Sequence, residues 1–554
     1  MSGRINTEIF RRWRQRKADD FRRRWFAELS TARKVRRVAL VGTVAYFVAI
    51  NVPRKESLPP FMLRHRILCE GSMRILECVR VGARIYGDYR DNCLMPGKQD
   101  DAAAWSACHT RSAEKLVALA EQHGALYVKA GQGFASMNHL LPPEYCKVMS
   151  KLQDAVVFRP FSEIRYVVEQ ELGQSLETAF EAFDPNPIAA ASLAQVHKAV
   201  LRRRDGTAAE AAVKVQYIDV RDRFDGDMYT ITSFLKVAAR LFPGYDFAKI
   251  IGKTEAMLRA ELDFVAEASN CNLCREQMKE RFGDRVTTPE VFPEATTARV
   301  MTTRFIHAAK ANDRPHIEAL GLSVREVGTL FADAFAHQIF NTGFVHADPH
   351  PGNVFVRPRP GGRRGEAQLV ILDHGLYTKL SDEQRTWVSQ VWTASVTHDD
   401  DVLKAACEKV GLPRDAFGML GSVFLCYPYH HFNPFRKVAS KATVDEQRAV
   451  ASQQMWRVTL VLDRLPPEVN LVLRNINTAR SVFKDLGNPV SRTARMLRFS
   501  MQREQLEAGT SVWALRWALA RLWAIEAYED VLYALARWRD PAGVKAAEEI
   551  FQLG

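Results

Sequence analysis

The sequence predicts an α+β fold in which a small β-rich lobe is followed by a larger helical lobe and preceded by an added helical segment. Three observations carry this reading. From about Ala102 to Glu177 apolar residues recur at three- and four-residue steps, as on the buried face of a helix. Around Phe180 the texture changes to short β-like stretches, and beyond Leu330 helical patterning dominates again, broken by one hairpin. The boundaries drawn are 56–177 for the helical extension, 178–310 for the β-rich lobe, 311–500 for the helical lobe and 501–554 for terminal amphipathic helices.

A chain of 554 residues is too long for one ordinary core at about 150 residues per domain. Its 47% hydrophobic and 25% charged residues are ordinary globular composition, which excludes a disordered or multi-spanning membrane chain. The net charge of +13 is lopsided, because residues 1–37 hold thirteen Lys/Arg against Glu8, Asp19, Asp20 and Glu28, a net of +9. A basic tail alone would point to nucleic acid. Here an apolar run follows it, which points to a membrane and against a nucleic-acid partner. Nine widely spaced cysteines outline no disulfide framework and fit a reducing compartment. Cys271 and Cys274 form a lone CxxC without the second pair zinc would want, so packed thiols are expected.

Val38–Val52 reads VALVGTVAYFVAINV between Lys34, Arg36 and Arg37 and then Arg54 and Lys55. A helix of that length rises only about 22 Å against a hydrocarbon layer of roughly 30 Å, although flanking cations can snorkel. Residues 38–55 are therefore a candidate membrane anchor, with a buried helix as the plainer alternative. The arginine-rich residues 1–37 are a candidate mitochondrial targeting segment, and the expected location is mitochondrial and membrane-associated, at the inner membrane.

The elements follow in order. AEKLVALAEQHGALYVKAGQGFASM is helical and interrupted at Gly124 and Gly131; Pro142-Pro143 ends it and EYCKVMSKLQDAV resumes it. FEAFD, a loop PNPIAAASLA, then QVHKAVL, the turn RRRDGT and AAVKVQY make a three-strand meander, with Asp205-Gly206 as its hairpin signal. Lys214 sits on the third strand between Val213 and Val215. NVFVRP, a Gly/Arg-rich turn and AQLVILD form the second hairpin. In VWALRWALARLWAIEAYEDVLYALARW, Trp513, Arg516, Trp517 and Arg521 mark an amphipathic helix for which core packing is the leading expectation.

Phosphoryl transfer asks a protein to hold phosphates, coordinate magnesium and align the attacking oxygen. Lys214 can reach the α/β-phosphates from its strand, and a glutamate on the next helix, Glu267 or Glu261, should position it. In HADPHPGN, Asp348 and Asn353 stand five residues apart, the spacing of base and metal ligand in the kinase catalytic loop. Asp373, after the strand LVIL and before His374-Gly375, takes the place of the magnesium-holding aspartate, with Gly375 expected to turn the chain sharply. His346, Asp348 and His350 could instead be zinc ligands or a loop network, but zinc would leave Asn353 and Asp373 unexplained. The order and spacing predict a bilobal, protein-kinase-like site for ATP or ADP with Mg2+.

At these residues the chain resembles the UbiB-type atypical kinases, also called aarF-domain kinases. Lys129-Ala130-Gly131-Gln132 matches that family's KxGQ motif, and Ala189-Ala190-Ala191-Ser192-Leu193-Ala194-Gln195-Val196-His197 its alanine-rich nucleotide loop. Glu261-Leu262-Asp263 matches its ExD, followed by the helix glutamate Glu267. HADPHPGN and DHGLY complete the set, and DHGLY is most similar to the mitochondrial subgroup. The resemblance runs from about Leu116 to Asp373, with a weaker echo at LPPEVNLVLRNINTARSVFKDLG. It implies a KxGQ helix lying across the site, with Lys129 facing the ExD carboxylates and Gln132 covering the nucleotide. It also implies a nucleotide site touched by Ala190, Ala191, Ser192, Glu261 and Asp263, slow ATPase activity, and a role in coenzyme Q or other lipid homeostasis. Expected partners are a membrane lipid or isoprenoid and proteins of a lipid-biosynthesis complex.

Two departures stand out. Where that family carries a Met-Glu pair before the interlobe hinge, this chain reads Thr303-Arg304, and a following glycine is Ala308. His350 replaces the lysine usual two residues after the catalytic aspartate of protein kinases, which removes a permanent cation and disfavours phosphorylation of proteins in trans. A small-molecule phosphotransferase, whose loop can also read HGDxHPGN, and a nucleotide-binding pseudokinase scaffold are the competing readings.

Overall fold

The computed structural model describes residues 31–51, 53–95, 101–135, 141–153, 158–203, 205–241, 258–259, 261–427 and 455–508, with single positions at 255, 429, 513, 517, 520, 524 and 531. The chain enters through α1 (Thr31–Asn51) and α2 (Pro60–Asn92), the latter opened by proline in its first turn, where a missing N–H costs nothing. Among the described residues no helix is long and apolar enough to cross a membrane. The α1 side chains Leu40, Val41, Phe47 and Val48 are exposed.

Asp101 accepts from the amides of Ala103 and Ala104 and so caps α3 (Ala102–His123), satisfying two of the donors a helix start leaves open. Gly124, at φ 66°, ends it, and α4 (Ala125–Ala135) carries the KxGQ residues. Gly131 does not interrupt that helix. A Cβ there would stand 2.2 Å from Cδ1 of Leu152, so the glycine serves close packing against the segment after α5 (Pro143–Met149). Then α6 (Phe161–Leu172) runs beneath the first sheet: Ile164, Val167 and Val168 share a core with Leu58, Leu63 and Ile67 and with Val213, Val215 and Val300. The helical extension and the β-rich lobe are therefore packed as one.

The first sheet has the order β1 (Phe180–Ala190), β2 (Ala194–Arg202), β3 (Ala208–Gln216), β5 (Val300–Arg304), all antiparallel. The predicted meander is present, with one correction: β1 continues through Pro185 and Pro187 rather than stopping at Asp184. Its pairing shifts register between Phe183 and Pro187 and again before Ala189, and the strand lies at the sheet edge, where proline needs no ladder partner. Gly206 makes the β2–β3 turn at φ 79°. After α7 (Val220–Leu241), α8 (Phe264–Phe282) packs across the sheet, N-capped by Asp263.

The helical lobe is built from α9 (Val324–His337), α10 (Asp382–Thr397), α11 (Pro467–Asp485) and α12 (Arg492–Ala508), around Phe340, Val391, Trp392, Val472, Ile476 and Leu497. Two small sheets thread it. One pairs β7 (Phe344–His346) with β10 (Tyr377–Lys379); the other runs β4 (Val286–Thr287), β9 (Ala367–Ile371), β8 (Val354–Pro358), β6 (Ala309–Lys310). Because β7 pairs with β10 and β8 with β9, the loops 347–353 and 372–376 must lie side by side. Beyond α12, Trp513 and Trp517 are 74% and 71% exposed, against the expectation of core packing. Arg516 and Arg521, like residues 1–30, fall outside the described residues.

Candidate active site

Strand alternation decides where Lys214 points. Val213 and Val215 are fully buried in the shared core, so Lys214 faces the opposite side, toward α8. There its Nζ meets Glu267 Oε1 at 2.6 Å and Oε2 at 2.9 Å. Of the two glutamates offered by the sequence, Glu267 is the partner. It stands in the first turn of α8 and is only 4% exposed. Asp373 Oδ2 lies 4.0 Å from the same ammonium. Burial disfavours the charged lysine, but the carboxylates of Asp373 and Glu267 overcome it and raise its pKa.

The two loops of the helical lobe are locked by histidines. Nδ1 of His346 accepts from the Asp348 amide at 3.0 Å, so the proton resides on Nε2, which donates to the Asp373 carbonyl at 2.7 Å. Burial lowers the His346 pKa, and a neutral ring is the form these two bonds need. His374 is likewise buried, its pKa lowered to about 3 by desolvation; it bonds the Tyr377 hydroxyl and the Ile371 carbonyl. Asn270, one turn after Glu267, donates to the His374 carbonyl, joining α8 to this loop. Burial would raise the Asp373 pKa, but the Lys214 ammonium and the Gly375 amide, 2.9 Å from Oδ1, hold the carboxyl well below the usual range. Gly375 does not have the left-handed backbone that a sharp turn would require. Its value is space, since a Cβ would approach Asp373 Oδ1 to 3.3 Å.

Asn353 spends its amide nitrogen on the Asp348 carbonyl at 3.1 Å, so its side-chain oxygen is the ligand it has to offer. Among the described residues no three His, Cys, Asp or Glu side chains form a cage able to hold a metal alone. One carboxylate and one amide oxygen fit magnesium, which keeps few protein ligands and completes its octahedron with phosphate oxygens and water. Cys271 and Cys274 are buried in α8, their thiols pushed up to about 11 and about 12 by desolvation.

The KxGQ helix reaches this site. Lys129 Nζ is 2.9 Å from Glu261 Oε1, and its charge also lowers the Asp373 pKa. Gln132 donates to the Leu152 carbonyl at 2.8 Å, fastening the helix to the segment behind it. Asp263 gives Oδ1 to the amides of Val265 and Ala266, so within ExD the glutamate meets the extension and the aspartate starts α8. In the alanine loop the Ala191 amide is bonded to the Ala194 carbonyl at 2.7 Å, and the Tyr217 hydroxyl holds the Ala191 carbonyl. Ala190 and Ser192 are half-buried and Ala191 is exposed. That loop closes on itself where a glycine-rich loop would offer its amides to a phosphate. At the hinge, Arg304 pairs with Glu290, Nε to Oε2 at 2.8 Å, which gives the departure at Thr303-Arg304 a local partner.

Two site residues escaped sequence reasoning. Arg474 of α11 places a guanidinium nitrogen 2.7 Å from Asp348 Oδ2, and its neighbour Asn475 donates to the His346 carbonyl at 2.6 Å. The signal was present in the echo from Leu465 to Gly487: Asn475 is a polar residue on the helix face that carries Val472, Ile476 and Ala479, and a buried amide demands a partner.

Comparison with known proteins agrees with this geometry. The family described as the ABC1 atypical kinase-like domain matches residues 151–407. A probable serine/threonine-protein kinase of Dictyostelium discoideum, abkD, is 32% identical over 77% of the chain, which spans 61% of that relative's length. A putative ABC1 protein of Arabidopsis thaliana is 31% identical over 75% of the chain and 79% of its own length. For the AarF domain-containing protein kinase 1 of Mus musculus the figures are 30%, 75% and 78%. With the lysine–glutamate pair, the two loops and these relatives in agreement, the chain belongs to the ABC1, or AarF-domain, atypical kinase-like family.

Proposed function

We propose that this chain is an atypical kinase or ATPase that binds ATP or ADP with magnesium and couples slow turnover to coenzyme Q or other lipid homeostasis at the inner mitochondrial membrane. The observation that carries the reading is Lys214, held by Glu267 at 2.6 Å and facing Asp373 at 4.0 Å, the arrangement needed to grip a nucleotide's phosphates. Asp373 and Asn353 would hold magnesium, which neutralises charge on the phosphate oxygens. In hydrolysis a water oxygen bonds to the terminal phosphorus, the bond to the bridging oxygen breaks with its electron pair leaving on ADP, and the water proton passes to Asp348. Lys129 on Glu261 sets the added helix at the cleft where a protein substrate would dock, which favours turnover without phosphorylation of proteins in trans.

Support for a membrane comes from the exposed apolar side chains of α1 together with Leu68, Met73, Leu76 and Val79 on α2, interleaved with exposed Arg64, Arg80 and Arg84. Apolar residues flanked by arginines suit the surface of an anionic bilayer. The basic segment 1–37 and the resemblance of DHGLY to the mitochondrial subgroup of aarF-domain kinases support the location, and lipid, isoprenoid and lipid-biosynthesis proteins are the partners proposed, not nucleic acid. The test is ATP hydrolysis by purified protein with and without vesicles containing anionic phospholipid. Vesicles should raise the rate and Asp373→Asn should abolish it. Absence of any magnesium-nucleotide stabilisation in a thermal-shift assay would overturn the reading.

A further inference from the structure

His350 stands where protein kinases carry a lysine that faces the transferred phosphate, and its ring is turned into its own loop. Nδ1 of His350 accepts from the Gly352 amide at 3.0 Å, and a Cβ on Gly352 would lie 2.7 Å from the ring, so the glycine makes room for this conformation. The cation paired with the base is instead Arg474, 2.7 Å from Asp348 Oδ2. The helix that bears it is well fixed: Val472 and Ile476 are buried in the helical-lobe core, and Asn475, 1% exposed, grips the His346 carbonyl. Its backbone is thus tied to the strand that leads into the catalytic loop, while Arg474 itself reaches over that loop.

We propose that Arg474 is the cation that engages the terminal phosphate of ATP, in the role His350 has given up, and that Asp348 holds it when no nucleotide is bound. The proposal rests on the nucleotide reading above and adds to it a residue outside the span matched by the family model. Energetics favour the exchange. The side chains of Arg474 and Asp348 are 42% and 27% exposed, and ion pairs of that exposure contribute little. An arginine fork on a phosphate is a stronger, bidentate contact. Moving the guanidinium to phosphate also frees Asp348 to accept a proton, so base and phosphate cation become available together.

The discriminating measurement is equilibrium affinity for ATP·Mg and ADP·Mg by calorimetry, on full-length wild type, Arg474→Gln and Arg474→Lys. A charge-assisted contact to the terminal phosphate predicts ATP binding about ten- to a hundredfold weaker in R474Q, ADP binding unchanged within about threefold, and partial recovery in R474K, which keeps the charge but not the fork. Equal weakening of ATP and ADP, or no weakening of either, overturns the assignment and leaves Arg474 a strut for the loop. If R474Q fails to fold by circular dichroism, R474K carries the test: its ATP-to-ADP preference must fall below wild type. Wild type binding neither nucleotide would overturn the nucleotide reading along with it.

Discussion

The inner wall of the cleft and its rim are both made of ion pairs, yet they are built differently. On the wall, Lys214 and Glu267 meet at 2.6 Å with the carboxylate 4% exposed, one on β3 and the other on α8. On the rim, Lys129 from the front extension takes Glu261 and Arg474 from a late helix takes Asp348, and both pairs are partly open to water. Desolvated pairs are costly to break because the partner left behind is stranded, whereas open ones exchange partners at little cost. The wall is therefore suited to hold a geometry and the rim to change one.

The sharpest break of that contrast is Glu267→Ala. It leaves Lys214 with only Asp373, 4.0 Å away, and should cost on the order of 3 kcal/mol in denaturant unfolding together with loss of nucleotide turnover. A loss below about 1 kcal/mol would mean that the wall behaves like the rim.

The base on which the extension sits repeats the wall's construction. Asp219, fully buried, meets Lys55 at 2.7 Å and Arg223 at 2.8 Å, while Arg74 of α2 meets Asp227 at 3.0 Å. Burial would raise the Asp219 pKa, but Arg223, Lys55 and Arg159 depress it well below the ordinary value. A depressed folded-state pKa contributes stability that is fully present above the unfolded value near 3.9 and is lost as pH falls toward the folded one. Unfolding free energies from urea titrations at pH 6 and pH 3 should therefore differ by about 1.3 kcal/mol through this group, and Asp219→Asn should flatten that dependence. An unchanged slope in the variant would remove Asp219 as the acid-sensitive anchor.

An effect of similar size is expected at Gly131→Ala, whose new methyl would meet Leu152 Cδ1 at 2.2 Å. Overpacking should cost about 1–3 kcal/mol, and Leu152→Ala in the same chain should recover part of it, since contacting sites are not additive. Strict additivity would show that the KxGQ helix does not rest on Leu152.

How much of this was legible follows the same division. The wall could be read because strand alternation, a DG turn, the five-residue Asp348–Asn353 spacing and the position of Asp373 are local patterns with fixed geometry. Of the two antiparallel pairings that set the loops side by side, β8 with β9 followed from NVFVRP and AQLVILD, whereas β7 with β10 joins short segments far apart in sequence and was not read. The extension's helices were legible too, but Gly131 was read as a break when it is a contact, because a glycine's neighbour across a helix pair is not written nearby. The same holds for Gly375, whose worth depends on Asp373 and Glu267 in space. Arg474 was missed since its meaning lies in a residue 126 positions away. β1 was cut short at its prolines because edge position, which excuses them, is a property of the sheet.

The smallest expected change in stability tests the rim most directly. Lys129→Gln removes the pair with Glu261, whose members are 28% and 17% exposed, and should shift unfolding by no more than about 0.5–1 kcal/mol. If that pair holds the helix over the cleft, the same free energy is released into the equilibrium between closed and open forms, and ATP turnover should rise about two- to fivefold. If Lys129 instead reaches phosphate itself, turnover should fall while stability barely moves. A rise identifies the lysine as a latch and a fall as a ligand. Because Arg474→Gln is expected to lower ATP affinity, opposite responses at the two rim cations would show that the extension restrains the site while the late helix serves it.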